Sequence, residues 1–258
     1  MLNRTVTDRD IIRTTIAQTR MFAGWPAAAL DRMSAASSLR RYRAGEVLLR
    51  RGEPTPGAWL IASGCLSNSR QMADGRYNLA DLMIAGQITG FIPVIDGMPA
   101  AFDTTARTDA EVVLIPGAVL LEVLREDSGR LLDVARMMCR RTRLDYEAIQ
   151  SFALDPLRMR ILKWLCFMAR GSSVPGAFEL PVGVTQDDLA AHFGVSRQSV
   201  NKEIAALVEE GVLAHRYRSL VVTDMNRMVG MVMDYDPVLD EILALIFGRP
   251  ARVLRTSD

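Results

Sequence analysis

Six polar side chains stand within seven consecutive residues, Ser196, Arg197, Gln198, Ser199, Asn201 and Lys202, and no acid follows until Glu203. Arginine can bridge O6 and N7 of guanine, and glutamine or asparagine can pair bidentately with adenine. The serines can reach phosphate oxygens, which a helix N-terminus also attracts. The chemistry is therefore recognition of a polar, anionic groove. Bond-making chemistry has no comparable signal: there is no Gly-x-Ser-x-Gly, no P-loop and no dinucleotide fingerprint, and His192 and His215 make a poor acid-base pair, so the chain reads as no enzyme. Cys65, Cys139 and Cys166 are odd in number and far apart, which offers neither a disulfide framework nor a metal site by local spacing.

The elements that must position these residues are equally local. Thr185-Gln-Asp-Asp188 has the form of a capping box, with Asp in place of the usual Glu, and opens a short helix with Leu189, Ala190 and Phe193 on one face. Gly194 ends it, and Ser196 can cap a second helix buried through Val200, Ile204, Leu207 and Val208 and closed by Gly211. Helix, glycine turn and capped helix make a helix-turn-helix, which places the second helix in the major groove. The hairpin-like LAHRYRSLVVT then puts Arg216 and Arg218 at a strand tip, as a wing would. An ordinary helical hairpin with a solvated polar face is the alternative.

The rest of the chain reads as an α+β protein. Its 258 residues carry Lys+Arg 31 against Asp+Glu 30, a formal charge of +1, so overall charge advertises no partner. Hydrophobic residues make up 49%, enough to bury a core, and the longest apolar stretches fall short of the roughly 20 residues a spanning helix needs. The charged N-terminal decapeptide is no secretory signal, so a cytoplasmic location is expected. Two helical stripes, through Ile11, Ile12, Thr15 and Ile16 and from Pro26 to Ala36, precede short strands punctuated by glycine, with Asp74-Gly75 the clearest hairpin. That texture predicts an N-terminal antiparallel β-barrel, jelly-roll-like. From Ser128 to Ala153 the chain lacks Gly and Pro beyond its first turn, and Leu132, Ala135, Cys139, Thr142, Tyr146 and Ile149 recur at alternating steps of three and four. This is the seam of two helices side by side, either two copies of this helix or this helix against its own barrel. Asp155-Pro156 starts a new helix, and GSSVPGAFELPVG links it to the helix-turn-helix. The expected divisions are 1–127 sensor barrel, 128–154 dimerisation helix, 155–230 winged helix-turn-helix and 231–258 a C-terminal helical extension capped by Asp236. That last helix carries Leu239, Ile242, Leu243, Leu245, Ile246 and Phe247.

The stretch VTQDDLAAHFGVSRQSVNKEIAALVEEGVL resembles the winged helix-turn-helix of the bacterial CRP/FNR superfamily of transcription regulators. The barrel, with Gly45-Glu46, Gly52, Gly64, Gly86 and Gly90, is similar to that family's cyclic-nucleotide-type sensor domain, and the two likenesses cover about Phe22 to Met228. The resemblance implies a sequence-specific homodimer on palindromic double-stranded DNA, with Arg197, Gln198 and Lys202 as base readers and Thr185, Ser196, Ser199, Asn201, Arg216 and Arg218 among the other DNA contacts. It also implies RNA polymerase as a partner and requires no cofactor.

At the effector site the chain departs from that family. A Gly-Glu pair and an Arg-Ser or Arg-Thr pair anchor a cyclic nucleotide there, whereas Phe91 follows Gly90 here and Ala100-Ala101 stand where the arginine pair belongs. A phosphodiester buried without a cation is costly. An effector pocket at Gly90, Phe91, Ile92, Ala100, Ala101 and Phe102, with Val94 and Ile95 beside it, would hold an apolar effector, be filled by its own side chains, or bind nothing. Cyclic AMP response remains one alternative. A ligand- or redox-responsive interaction protein, with Cys139 on the seam and a degenerate helix-turn-helix, is another.

Overall fold

In the computed structural model, which describes residues 7–75, 77–171, 178–180, 184–216 and 219–239, the first described element starts with a capping box. The Thr7 hydroxyl accepts the Asp10 N–H at 3.2 Å, and the Asp10 carboxylate accepts the Thr7 N–H at 3.0 Å. Two otherwise orphaned donors are thereby satisfied at the start of α1 (Asp8–Gln18), which buries Ile12, Thr15 and Ile16. A 3-10 turn over Arg20–Phe22 and α2 (Ala27–Ala36) follow.

The strands are β1 (Ser38–Tyr42), β2 (Val47–Leu49), β3 (Gly57–Ser63), β4 (Cys65–Gln71), β5 (Tyr77–Ile84), β6 (Ile88–Thr89), β7 (Asp103–Ala106) and β8 (Ala110–Pro116). They form two antiparallel sheets, ordered β1-β8-β3-β6 and β2-β7-β4-β5. The expected barrel is therefore two facing sheets in a jelly-roll-like sandwich, not a closed cylinder. Between the sheets lie Trp59, Ile61, Ala110 and Val112 from one and Leu49, Leu66, Met83 and Ala106 from the other. The alternate β3 residues Ala58 and Leu60 are also fully buried, because α1 and α4 (Gly117–Arg125) pack against this strand. That second cover explains why β3 shows no alternation of polar and apolar residues. Gly57 lies so close to β8 that an added Cβ would stand 2.0 Å from the Ile115 carbonyl oxygen. Two helices were not foreseen. Pro116 is the N-cap of α4, and α3 (Phe91–Asp96) fills the six residues between Gly90 and Gly97.

The long helix α5 spans Ser128–Leu154. The chain divides into two compact units at this helix, one ending at Ala135 and the other beginning at Arg136. The second unit continues with α6 (Leu157–Gly171), β9 (Phe178–Glu179), α7 (Gln186–Phe193), α8 (Arg197–Glu209), β10 (Leu213–Arg216), β11 (Ser219–Val222) and α9 (Met225–Tyr235). Its core gathers Ile161, Leu162, Leu165, Leu189, Phe193, Val200, Ile204, Leu207, Met228 and Val232. The wing is a three-stranded sheet ordered β10-β11-β9, so part of the segment read as a linker is a strand. Helix α9 was missed, although Asp224 caps it by accepting the Arg227 N–H at 2.9 Å. Arg218 and the C-terminal helix beyond Leu239 lie outside the described residues.

Candidate nucleic-acid interface

Both helices of the motif begin where side-chain caps demand. The Thr185 hydroxyl accepts the Asp188 N–H at 3.1 Å, and the Asp188 carboxylate accepts the Thr185 N–H at 2.8 Å. Thr185, expected at the DNA, thus spends its hydroxyl within the cap, where it also donates to Asp188 at 2.7 Å. Helix α7 ends at Gly194, whose φ of 64° is left-handed and suits a residue without Cβ. Two residues later the Ser196 hydroxyl accepts the Ser199 N–H at 3.1 Å and opens α8.

Helix α8 is buried through Val200, Ile204 and Leu207. Its opposite face leaves Ser196, Arg197, Gln198 and Lys202 exposed, with Ser199 half-buried. Asn201 differs from expectation: its Oδ1 is buried and has no hydrogen-bond partner among the described residues. Arg216 projects from β10 with its side chain 72% exposed.

Two acids meet these bases in space. Asp187 on α7 lies 3.3 Å from the Arg197 guanidinium, and Glu179 on β9 lies 3.3 Å from that of Arg216. Ser219 also donates to Glu179, and the Ser219 and Arg216 contacts hold that carboxyl below its ordinary range. The recognition segment and the wing contain no acid in sequence, yet each receives one from an element that precedes it. Pairing of β9 with β11, Val222 opposite Phe178 and Val221 opposite Glu179, brings Glu179 there. Sequence spacing alone could not reveal it, because the contact joins residues on separate strands.

Behind the motif, the Arg160 guanidinium sits 4.2 Å from the Phe152 ring centroid and 5.6 Å from that of Phe193, and donates to the Phe193 carbonyl. Burial lowers its pKa, against the attraction of Asp155. The His192 ring lies 5.5 Å from Trp164 and 4.9 Å from Phe193, so it is part of an aromatic cluster and not of the groove-facing surface.

Comparison with known proteins joins this geometry to a family. A cyclic nucleotide-binding domain model matches residues 39–127, and a Crp-like helix-turn-helix domain model matches residues 159–230. The chain belongs to the CRP/FNR family of DNA-binding transcription regulators. Over 186 residues it is 25% identical to the CRP-like cAMP-activated global transcriptional regulator of Mycobacterium tuberculosis, covering 71% of this chain and 83% of that one. It is 23% identical to the transcriptional activator protein FnrL of Cereibacter sphaeroides over 203 residues, 74% of this chain and 78% of the relative. The fold matches FixK2 from Bradyrhizobium japonicum with a TM-score of 0.67 at 19% identity, covering 75% of this chain and 96% of that one. The family is one of regulators, not enzymes. Among the described residues no helix is long and apolar enough to cross a membrane.

In this CRP/FNR protein the expected effector residues separate. Gly90 has a φ of 69° and caps α3, where an added Cβ would stand 2.8 Å from the Trp59 ring. Phe91 and Val94, three residues apart, are the buried face of α3, and Ile92 and Ile95 are exposed. Ala100 is buried and its N–H donates to the Glu53 carbonyl, whereas Ala101 and Phe102 are exposed. The helical period of α3 thus divides residues that a strand-and-loop reading grouped as one lining. On α5, Leu132, Ala135, Cys139, Thr142, Tyr146 and Ile149 are all exposed.

Proposed function

We propose that the protein is a homodimeric, sequence-specific regulator that reads a palindromic duplex with two copies of α8 and acts in the cytoplasm with RNA polymerase. In this reading its sandwich answers to a signal other than a cyclic nucleotide, or to none. The observation that carries the proposal is the first turn of α8: Arg197, Gln198 and Lys202 stand exposed on a helix whose opposite face is buried, so their directions are held. The exposed seam of α5 supports a second copy. Leu132, Tyr146 and Ile149, at 49%, 59% and 65% exposure, form a stripe that two such helices would cover together.

The relative from Mycobacterium tuberculosis is named as cAMP-activated, which makes cyclic AMP the first effector to test. Against it stand Phe91 and Ala100, both buried and apolar at the positions where the family's glutamate and arginine would hold ribose and phosphate. Selection of DNA from a random pool by the full-length chain tests the reading. A palindrome with half-sites about one helical turn apart is expected, bound with an affinity that falls steeply with salt and is unchanged by cyclic AMP. Failure to enrich any site would move the helix-turn-helix to the role of a protein contact. A shift of affinity by cyclic AMP would overturn the assignment of Phe91 and Ala100.

A further inference from the structure

Lys163 of α6 is a buried cation whose side chain is 7% exposed. Its ammonium lies 2.8 Å from Asp155 Oδ2 and 2.8 Å from Asp236 Oδ2, on carboxylates 7% and 28% exposed. The cluster is closed by hydroxyls: Ser151 donates to Asp155 Oδ2 at 2.7 Å and Tyr235 donates to Asp155 Oδ1 at 3.1 Å. Asp155 reads from sequence as a helix cap, yet both of its oxygens are engaged in this cluster.

The chain contains only two lysines, at 163 and 202, and its other basic residues are arginines. A compact ammonium with three rotatable donors can serve two carboxylates approaching from different directions, which the planar fork of arginine does less well. The residue type therefore fits a hub between two acids. The three elements joined are the last turn of α5 with Asp155, then α6 through Lys163, then the end of α9 with Tyr235 and Asp236.

That junction needs such a hub. Pro156 has no N–H to continue the hydrogen bonds of α5, and the Met159 and Arg160 N–H groups turn to the Pro156 carbonyl at 2.9 and 3.1 Å. Backbone bonding thus leaves the angle between α5 and α6 to side chains. A buried ion pair is often no more stabilising than apolar residues of the same volume, but it is directional, and removal of one partner strands the other. We propose that Lys163, acting through Asp155 and Asp236, is a positioning residue that fixes the angle at which the long helix meets the DNA-binding helices. Asp236, at the end of α9, is then part of that joint. This inference rests on the DNA-binding reading above.

The test uses the full-length chain, a palindrome selected by the unsubstituted protein, versions of it with one or two base pairs added or removed between half-sites, and a single half-site. The unsubstituted protein should lose at least about tenfold in affinity on a two-base-pair change of spacing, since its two α8 helices are held one DNA turn apart. Lys163→Met should compress that loss to below about threefold while half-site affinity stays within about twofold, because α8 itself is untouched. Asp236→Asn, which leaves the Lys163–Asp155 pair in place, should lie between, and it decides the matter if Lys163→Met does not fold. Retention of the full spacing penalty in the folded variants, whatever their melting temperature, would overturn the positioning role and leave the DNA-binding reading intact. Failure of the unsubstituted protein to bind any selected DNA would instead overturn both.

Discussion

The sandwich and the DNA-binding unit fill their interiors differently. Between the two sheets the packing is aliphatic and aromatic around Trp59, and the buried polar groups of the strands are neutral, as where the Thr104 hydroxyl donates to Asn68 Oδ1 at 2.7 Å. The second unit places charge at comparable depth: Lys163 between two aspartates, and Arg160 stacked on Phe152 and Phe193. Packing of the first kind requires volume and tolerates many sequences. The second kind requires particular atoms in particular directions. The unit that holds Arg197, Gln198 and Lys202 on the exposed face of one helix gains from direction. A filled sandwich gains little.

The sharpest way to break the comparison is Trp59→Ala. A packed interior predicts a loss of about 3–5 kcal/mol in chemical denaturation, from lost transfer energy and an unfilled cavity. A loss below about 1 kcal/mol would mean that the space around Trp59 adapts as a binding cavity does. Half-site DNA affinity, which depends on α7 and α8, should not change in the folded variant.

Next in size is Arg197→Ala, expected to cost about tenfold to a hundredfold at the selected site and to relax preference at one base position. Arg216→Ala should weaken all sequences alike and reduce the salt slope by about one, as loss of a phosphate contact does. Equal loss of specificity from both substitutions, measured on a panel of single-base variants, would overturn that division of roles.

A matched pair gives a finer contrast. Thr7 and Thr185 build the same capping box with Asp at its third helical position, one in each unit. Replacing either with Ala should cost about 1 kcal/mol of stability. Only Thr185→Ala should lower DNA affinity, because only α7 supports α8; a loss with Thr7→Ala in a binding titration would show that the sandwich reaches the interface.

The smallest effect concerns pH. Burial works against the charge on Lys163, but its hydrogen bonds to Asp155 and Asp236 outweigh it and raise its pKa. Burial likewise opposes ionisation of Asp155, and its bonds to Lys163, Ser151 and Tyr235 outweigh that and lower its pKa. The stability due to Asp155 is therefore complete above about 4 and lost as pH falls through its lower folded value. That due to Lys163 is complete below about 10.4 and lost as pH rises through its higher folded value. Glu147 has the opposite sign, since burial and then Asp236 raise its pKa, so it takes up a proton early as pH falls. The melting temperature should be flat between about pH 7.5 and 9, and a transition there would contradict the assigned contacts.

The helix-turn-helix was legible because each of its signals is local: the Thr185 box, the left-handed Gly194, the Ser196 cap and the spacing of Val200, Ile204 and Leu207 lie within 23 residues of sequence. Helix α5 was legible for the same reason, its residues recurring at steps of three and four. Helix α3 escaped because six residues between glycines are too few to show a helical period, and so Ile92 and Ile95 were grouped with the buried Phe91 and Val94. Strand β9 escaped because its partner on β11 is distant in sequence, and with it went the pairing of Glu179 to Arg216. The Lys163 cluster escaped for that reason too, as it draws on the ends of α5 and α9. Nothing in the composition of these segments marks which acid will meet which base.

The pair Arg197–Asp187 also bears on how the protein searches a genome. If Arg197 reads a base as proposed, it would exchange Asp187 for DNA, so a generic phosphate would replace one anionic partner with another and offer little net attraction. A guanine edge adds two directed hydrogen bonds that the carboxylate exchange does not cancel. Since millions of wrong sites compete with each right one, weakening the attraction they share raises occupancy of the target more than a stronger grip on all DNA would.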